Sequence, residues 1–232
     1  MYVKTLPIFK RLAKFPKQQT RKLHPMAKEE HYHTKFECDN SYHVYNRSVD
    51  LKPMFKNRGN YLFFLKRYGD FLSEVVDTYA YNLLGNHFHL CIRIKSEEEI
   101  NKFKAENKVY KDKEVHLIIS AQFKRLFQSY SLAFNKQHQR IGTLFQKPFK
   151  RALIDNQKYL LNTIAYIHQN AQHHGLVDDF RDWEWSSYNS LLGDKETKLK
   201  RIETLKLFGS LDAFYDSNNQ LVNGKEFLEL EL

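Results

Sequence analysis

The chain has 232 residues, with 37 Lys and Arg against 27 Asp and Glu, a net charge of +10. Its 8 Gly, 5 Pro and 2 Cys exclude collagen-like, low-complexity and disulfide-framework readings. Apolar runs such as Leu62-Phe63-Phe64-Leu65 fall far short of the ~20 residues that a membrane span needs, and Lys4, Lys10, Arg11, Lys14 and Lys17 break up any leader-like stretch. The expectation is a basic, globular, cytoplasmic protein with no membrane partner.

The charge is concentrated. Residues 1–30 hold eight Lys or Arg against two acids, and residues 121–160 hold eight against Asp155 alone. The last 32 residues hold three against six. Clustered positive charge attracts a polyanion, and nucleic acid is the natural one.

Residues 1–35, with His24, His31, His33 and three Pro, read as a basic arm. Tyr42–Val49 is aromatic and β-branched, hence a strand. Tyr61 to Val76 carries apolar residues at helical spacing. Thr78–Leu84 and His87–Lys95 read as two strands split by the Gly85-Asn86 turn. Ser96 caps a further helix whose first turn is acidic. A long helix spans Val115 to Gln139, and Thr143–Asp155 alternates loosely as a fourth strand. Residues 157–173 form a helix that Gly175 stops. The order β-α-β-β-α-β predicts an α+β, ferredoxin-like antiparallel sheet with helices on one face, plus an additional C-terminal helix. Residues 36–190 make the domain, and 191–232 a helical tail that either covers it or meets a partner.

Alternation along His87–Ile94 puts His87, His89, Cys91 and Arg93 on one face and Phe88, Leu90, Ile92 and Ile94 on the other. The apolar face is core. Two imidazoles two residues apart are placed to hold one metal ion, although ordinary half-buried histidines fit the spacing too. Along the last domain helix, Tyr166, Asn170 and His173 share a stripe, while Leu160, Leu161, Ile164 and Ile167 line a packing stripe. On this spacing alone, packing accounts for Tyr166 better than chemistry does.

Six segments occur in order: YHVYNR (Tyr42–Arg47), YNLLGNHFHL (Tyr81–Leu90), FNKQHQRIGTLFQKPFKR (Phe134–Arg151), YIHQN (Tyr166–Asn170), GLVDDF (Gly175–Phe180) and WEWSSY (Trp183–Tyr188). Together they resemble the single-tyrosine HUH transposases, and within them the REP-associated tyrosine transposases and their insertion-sequence relatives. The resemblance implies a metal-dependent single-stranded DNA endonuclease and strand transferase that acts on hairpin-bearing DNA through a 5′-phosphotyrosine link. It assigns Tyr166 as nucleophile and His87, His89 and Asn170 as ligands of a divalent ion, Mg²⁺ or Mn²⁺. A phenol with a pKa of about 10 needs such help.

Gly85 and Ala171 stand where family members often carry Pro, and Ala171 lets the tyrosine helix run on by a residue or two. Arg47, Lys124, Arg125, Lys147, Lys150 and Arg151 are the candidate phosphate contacts, and Tyr45 or Phe145 could stack on bases. A domesticated relative that binds DNA hairpins without transposing would carry the same residues. Monomer and homodimer, with the tyrosine supplied in cis or in trans, both stay open. An amidohydrolase barrel, which also opens on a strand HxH, needs about 250 residues and further ligands. It is set aside.

Overall fold

The computed structural model describes residues 34–220. The basic arm, except for its last two residues, and residues 221–232 lie outside the described residues. The elements in chain order are β1 (Ser41–Arg47), α1 (Arg58–Leu72), β2 (Val76–Leu83), β3 (His87–Ile94), α2 (Glu97–Glu106), α3 (Val115–Gln137), β4 (Lys150–Ile154) and α4 (Gln157–His173). Three short helices follow: α5 (Tyr188–Leu192), α6 (Arg201–Leu207) and α7 (Leu211–Asn219). The sheet is antiparallel with order β2-β3-β1-β4, the βαββαβ arrangement expected.

Local chemistry sets several boundaries. The Asn57 side chain accepts from the Asn60 N–H and starts α1. Ser96 and Glu99 form a reciprocal capping box on α2. The tyrosine helix, α4, ends in a Schellman turn: Leu176 N–H donates to Ala171, Gly175 N–H to Gln172, and Gly175 takes φ +65°.

The sheet has two buried faces. Val44, Phe88, Leu90 and Ile92 point to one, where Phe64 of α1 and Phe123 and Leu126 of α3 complete the larger core. His43, Tyr45, His89 and Cys91 point to the other. There α4 lies across the strands, and Ile164 and Ile167 pack with Cys91, Ala80, Phe208 and Phe214. The face opposite the main core is therefore covered too, and α4 supplies the cover. The described part of the tail packs inward, with Phe214 wholly buried.

Backbone bonds from Leu83 to Trp185, Ser187 to Tyr81 and Lys200 to Thr78 close the outer edge of β2. This satisfies a row of strand groups that would otherwise invite another chain.

Two expectations change. The helix expected to reach Val76 stops at Leu72, because β-branched Val76 opens β2 and pairs with Ile94. The fourth strand is shorter than Thr143–Asp155. Pro148 offers no N–H to a ladder, so pairing runs only over Lys150–Ile154, while Phe145 makes one bridge to Ser48. Among the described residues no helix is long and apolar enough to cross a membrane.

Candidate active site

β1 and β3 build the floor. Their register sets Arg47 opposite His87, Tyr45 opposite His89 and His43 opposite Cys91, all on the α4 face. His89 is only 1% exposed, and its Nδ1 lies 2.9 Å from His43 Nε2. His87 Nδ1 lies 2.7 Å from Asn86 Oδ1. The Asn86 amide nitrogen donates to the Leu51 carbonyl, which fixes the other amide atom as oxygen. An oxygen acceptor there puts the His87 proton on Nδ1 and makes Nε2 its basic nitrogen.

α4 forms the roof. The buried Tyr166 ring stands edge-on to His89 at 6.0 Å and to His43 at 6.3 Å. It also meets His173 at 5.9 Å, as the shared stripe requires. The helix runs three residues past Asn170 before its cap, His174, whose ring meets His87 at 4.8 Å. Asn170 sits between these two contacts on the stripe i, i+4, i+8 and is fully buried. Asn82 of β2 donates to the Ile167 carbonyl at 2.7 Å and ties the helix to the sheet.

Beside the paired histidines opens a small cleft lined by Tyr45, Asn46, Arg47, His87, Phe88, His89, Gln146, Lys150 and His174. Among the described residues two cations and no carboxylate line it, which suits an anionic guest. Of the expected phosphate contacts, Arg47 and Lys150 reach this cleft, and Lys150 also lies over the Tyr45 ring. Lys147 is exposed on the preceding loop. Lys124 and Arg125 are exposed on α3, across the sheet from the histidines. Arg151 points to the opposite face, buried against Phe36 and Phe149, where its Nε donates to the Thr34 carbonyl. β4 alternation separates it from its neighbour Lys150. Tyr45 and Phe145 are both buried, Tyr45 beside the site and Phe145 in the larger core.

The donor chemistry fits a divalent ion. Two imidazoles and the Asn170 carboxamide offer mixed nitrogen and oxygen ligation, and phosphate oxygens would complete it. His87 Nε2, His89 Nε2 and Asn170 Oδ1 are all shielded from solvent. Among the described residues no three His, Cys, Asp or Glu side chains form a metal-binding group, so the amide oxygen would be needed.

Sequence reasoning missed His43, His174 and Asn86. His43 lies in the YHVYNR segment, two residues from Tyr45, so strand alternation on β1 was the available signal.

No protein-family model matches the chain. A Haemophilus influenzae protein assigned to the REP-associated tyrosine transposases is 27% identical over 115 residues, 49% of this chain. The match spans 59% of that relative's length. A solved structure of a REP-associated tyrosine transposase bound to a REP hairpin superposes with a TM-score of 0.52 at 15% identity, covering 68% of this chain and 82% of the other. Over about half its length the chain is thus similar in sequence to a REP-associated tyrosine transposase, and over two thirds of it the fold is that of a solved one.

Proposed function

We propose that the protein is a metal-dependent nuclease and strand transferase acting on single-stranded, hairpin-bearing DNA, with Tyr166 as nucleophile. The observation that carries this reading is the Tyr166 ring 6.0 Å from His89 within one chain, beside a cleft that, among the described residues, is lined by cations and no carboxylate. The solved relative's hairpin ligand supports the substrate class. A divalent ion held by His87, His89 and Asn170 would polarise the scissile phosphate and favour departure of the 3′-oxygen.

Arg47 and Lys150 draw the phosphate into the cleft and hold it there. The Tyr166 hydroxyl oxygen bonds to phosphorus as the bond to the 3′-oxygen breaks. The phenolic proton leaves to solvent, and the 3′-oxygen takes one up. Phosphodiester energy is kept in the 5′-phosphotyrosine bond, so a 3′-hydroxyl can reverse the step and join strands. Tyr166 is 1% exposed, so its hydroxyl has to become accessible as DNA enters.

The test incubates the protein with single-stranded hairpin oligonucleotides from the flanks of its own gene, with Mg²⁺ or Mn²⁺ and with chelator. A covalent adduct that needs metal and disappears in Tyr166→Phe is the expected result. Tight metal-independent binding without an adduct would replace this reading with that of a hairpin-binding protein. An adduct surviving in Tyr166→Phe would mean another tyrosine attacks.

A further inference from the structure

We infer that His43 is a positioning residue: it holds a proton on Nδ1 of His89 and thereby presents Nε2 of His89 as the ligating nitrogen. The inference rests on the metal-dependent reading above and names a residue that reading does not use.

The two imidazoles share one short contact, His43 Nε2 to His89 Nδ1 at 2.9 Å, with ring centroids 5.1 Å apart. Both side chains are buried, and a contact this short between two ring nitrogens is a hydrogen bond. One proton then lies between the two nitrogens, and it has two homes. On His43 Nε2, it makes His89 Nδ1 the acceptor and leaves the other His89 proton on Nε2, which then cannot ligate. On His89 Nδ1, it makes His89 Nε2 basic, with His43 accepting. Only the second arrangement gives a ligand.

The backbone makes the contact reproducible. β1 lies between β3 and β4 in the sheet, and His43 is the diagonal neighbour of His89 across the β1–β3 register. His87 has an equivalent partner in Asn86. Each histidine of the pair is thus held at Nδ1 by a different device, a carboxamide for one and an imidazole for the other. Packing explains why position 43 is filled. It does not explain a ring nitrogen aimed at Nδ1 of His89.

The test measures Mn²⁺ affinity of the full chain by calorimetry and by electron paramagnetic resonance, with thermal unfolding in chelator as a control on folding. His43→Phe keeps the ring volume and loses the acceptor. His43→Gln puts an amide oxygen close to where Nε2 stood. The expected result is a loss of about 10- to 100-fold in Mn²⁺ affinity for His43→Phe, substantial recovery in His43→Gln, and metal-free unfolding that does not track affinity. Wild-type affinity in His43→Phe would overturn the inference. Equal loss in both variants would also overturn it, because His43 would then only fill space. Mn²⁺ binding that His87→Ala leaves unchanged would instead refute the metal site, and the role of His43 would fall with it.

Discussion

His174, the cap of the tyrosine helix, sets its ring 4.8 Å from that of His87, at the start of β3. Two turns earlier on the same helix, Tyr166 stands over His89. Helix and strand therefore run in opposite directions, and one stripe of α4 spans both histidines.

Asn170 occupies the middle of that stripe, fully buried. Asn170→Ala is expected to lower Mn²⁺ affinity by at least about tenfold, the scale of losing a supporting group at a metal site. Asn170→Asp supplies a carboxylate oxygen at the same reach and should bind at least as well as wild type. Titration of Mn²⁺ followed by its resonance signal separates the two variants.

Charge at the cleft and charge on α3 should behave differently. Arg47→Ala and Lys150→Ala are each expected to weaken single-strand binding and reduce the salt slope by about 0.7 for each phosphate that is no longer neutralised. Lys124→Ala and Arg125→Ala lie across the sheet and should leave affinity for a short oligonucleotide at the cleft nearly unchanged. Fluorescence anisotropy at several salt concentrations tests the contrast. A larger effect from the α3 pair would place the binding surface on the wrong side of the sheet for cleavage by Tyr166.

The sequence made the succession of strands and helices and the His87–His89 pair legible because both follow from short-range periodicity. His43 stayed hidden because its partner is set by the register of β1 on β3, which no local pattern records. The second buried face was hidden for a similar reason. Phe208 and Phe214 show helical spacing, but only the fold reveals that they close on α4. Arg151 looked like Lys150 in composition, and one step along β4 sends it to the opposite face. His174 entered the site because Ala171, unlike a proline, lets α4 continue.

Gly175 ends α4 at φ +65°, where a side chain meets its own backbone. Gly175→Ala is expected to cost about 1 kcal/mol of stability. It should also loosen the last turn, which carries His173 and His174. Chemical denaturation reports the first effect, and amide exchange across residues 170–176 reports the second. Unchanged exchange would mean that packing against the cleft, rather than the Schellman turn, fixes this end.

The other side of α4 holds a buried polar network that makes stability depend on pH. His168 is fully buried, with Nδ1 2.7 Å from Asn218 Oδ1 and Nε2 2.9 Å from Ser187 Oγ. The Asn218 amide nitrogen donates to Phe214, so its oxygen faces the ring and His168 carries its proton on Nδ1. The Ser187 hydroxyl accepts from the Tyr81 N–H and can give its own proton to Nε2. A neutral imidazole satisfies both partners, and burial pushes its pKa down to about 4 from 6.5. Below pH 6.5 the unfolded chain therefore binds a proton that the folded chain refuses, and stability falls as pH drops toward 4. Above pH 6.5 both states are neutral and the contribution is constant. The loss between pH 7 and pH 5 is expected to be about 2 kcal/mol. His168→Gln removes the titrating group and should flatten that part of the profile, even if its stability at pH 7 is lower. Urea unfolding of both proteins at pH 5, 6 and 7 decides the matter: parallel profiles would mean that other groups carry the acid sensitivity.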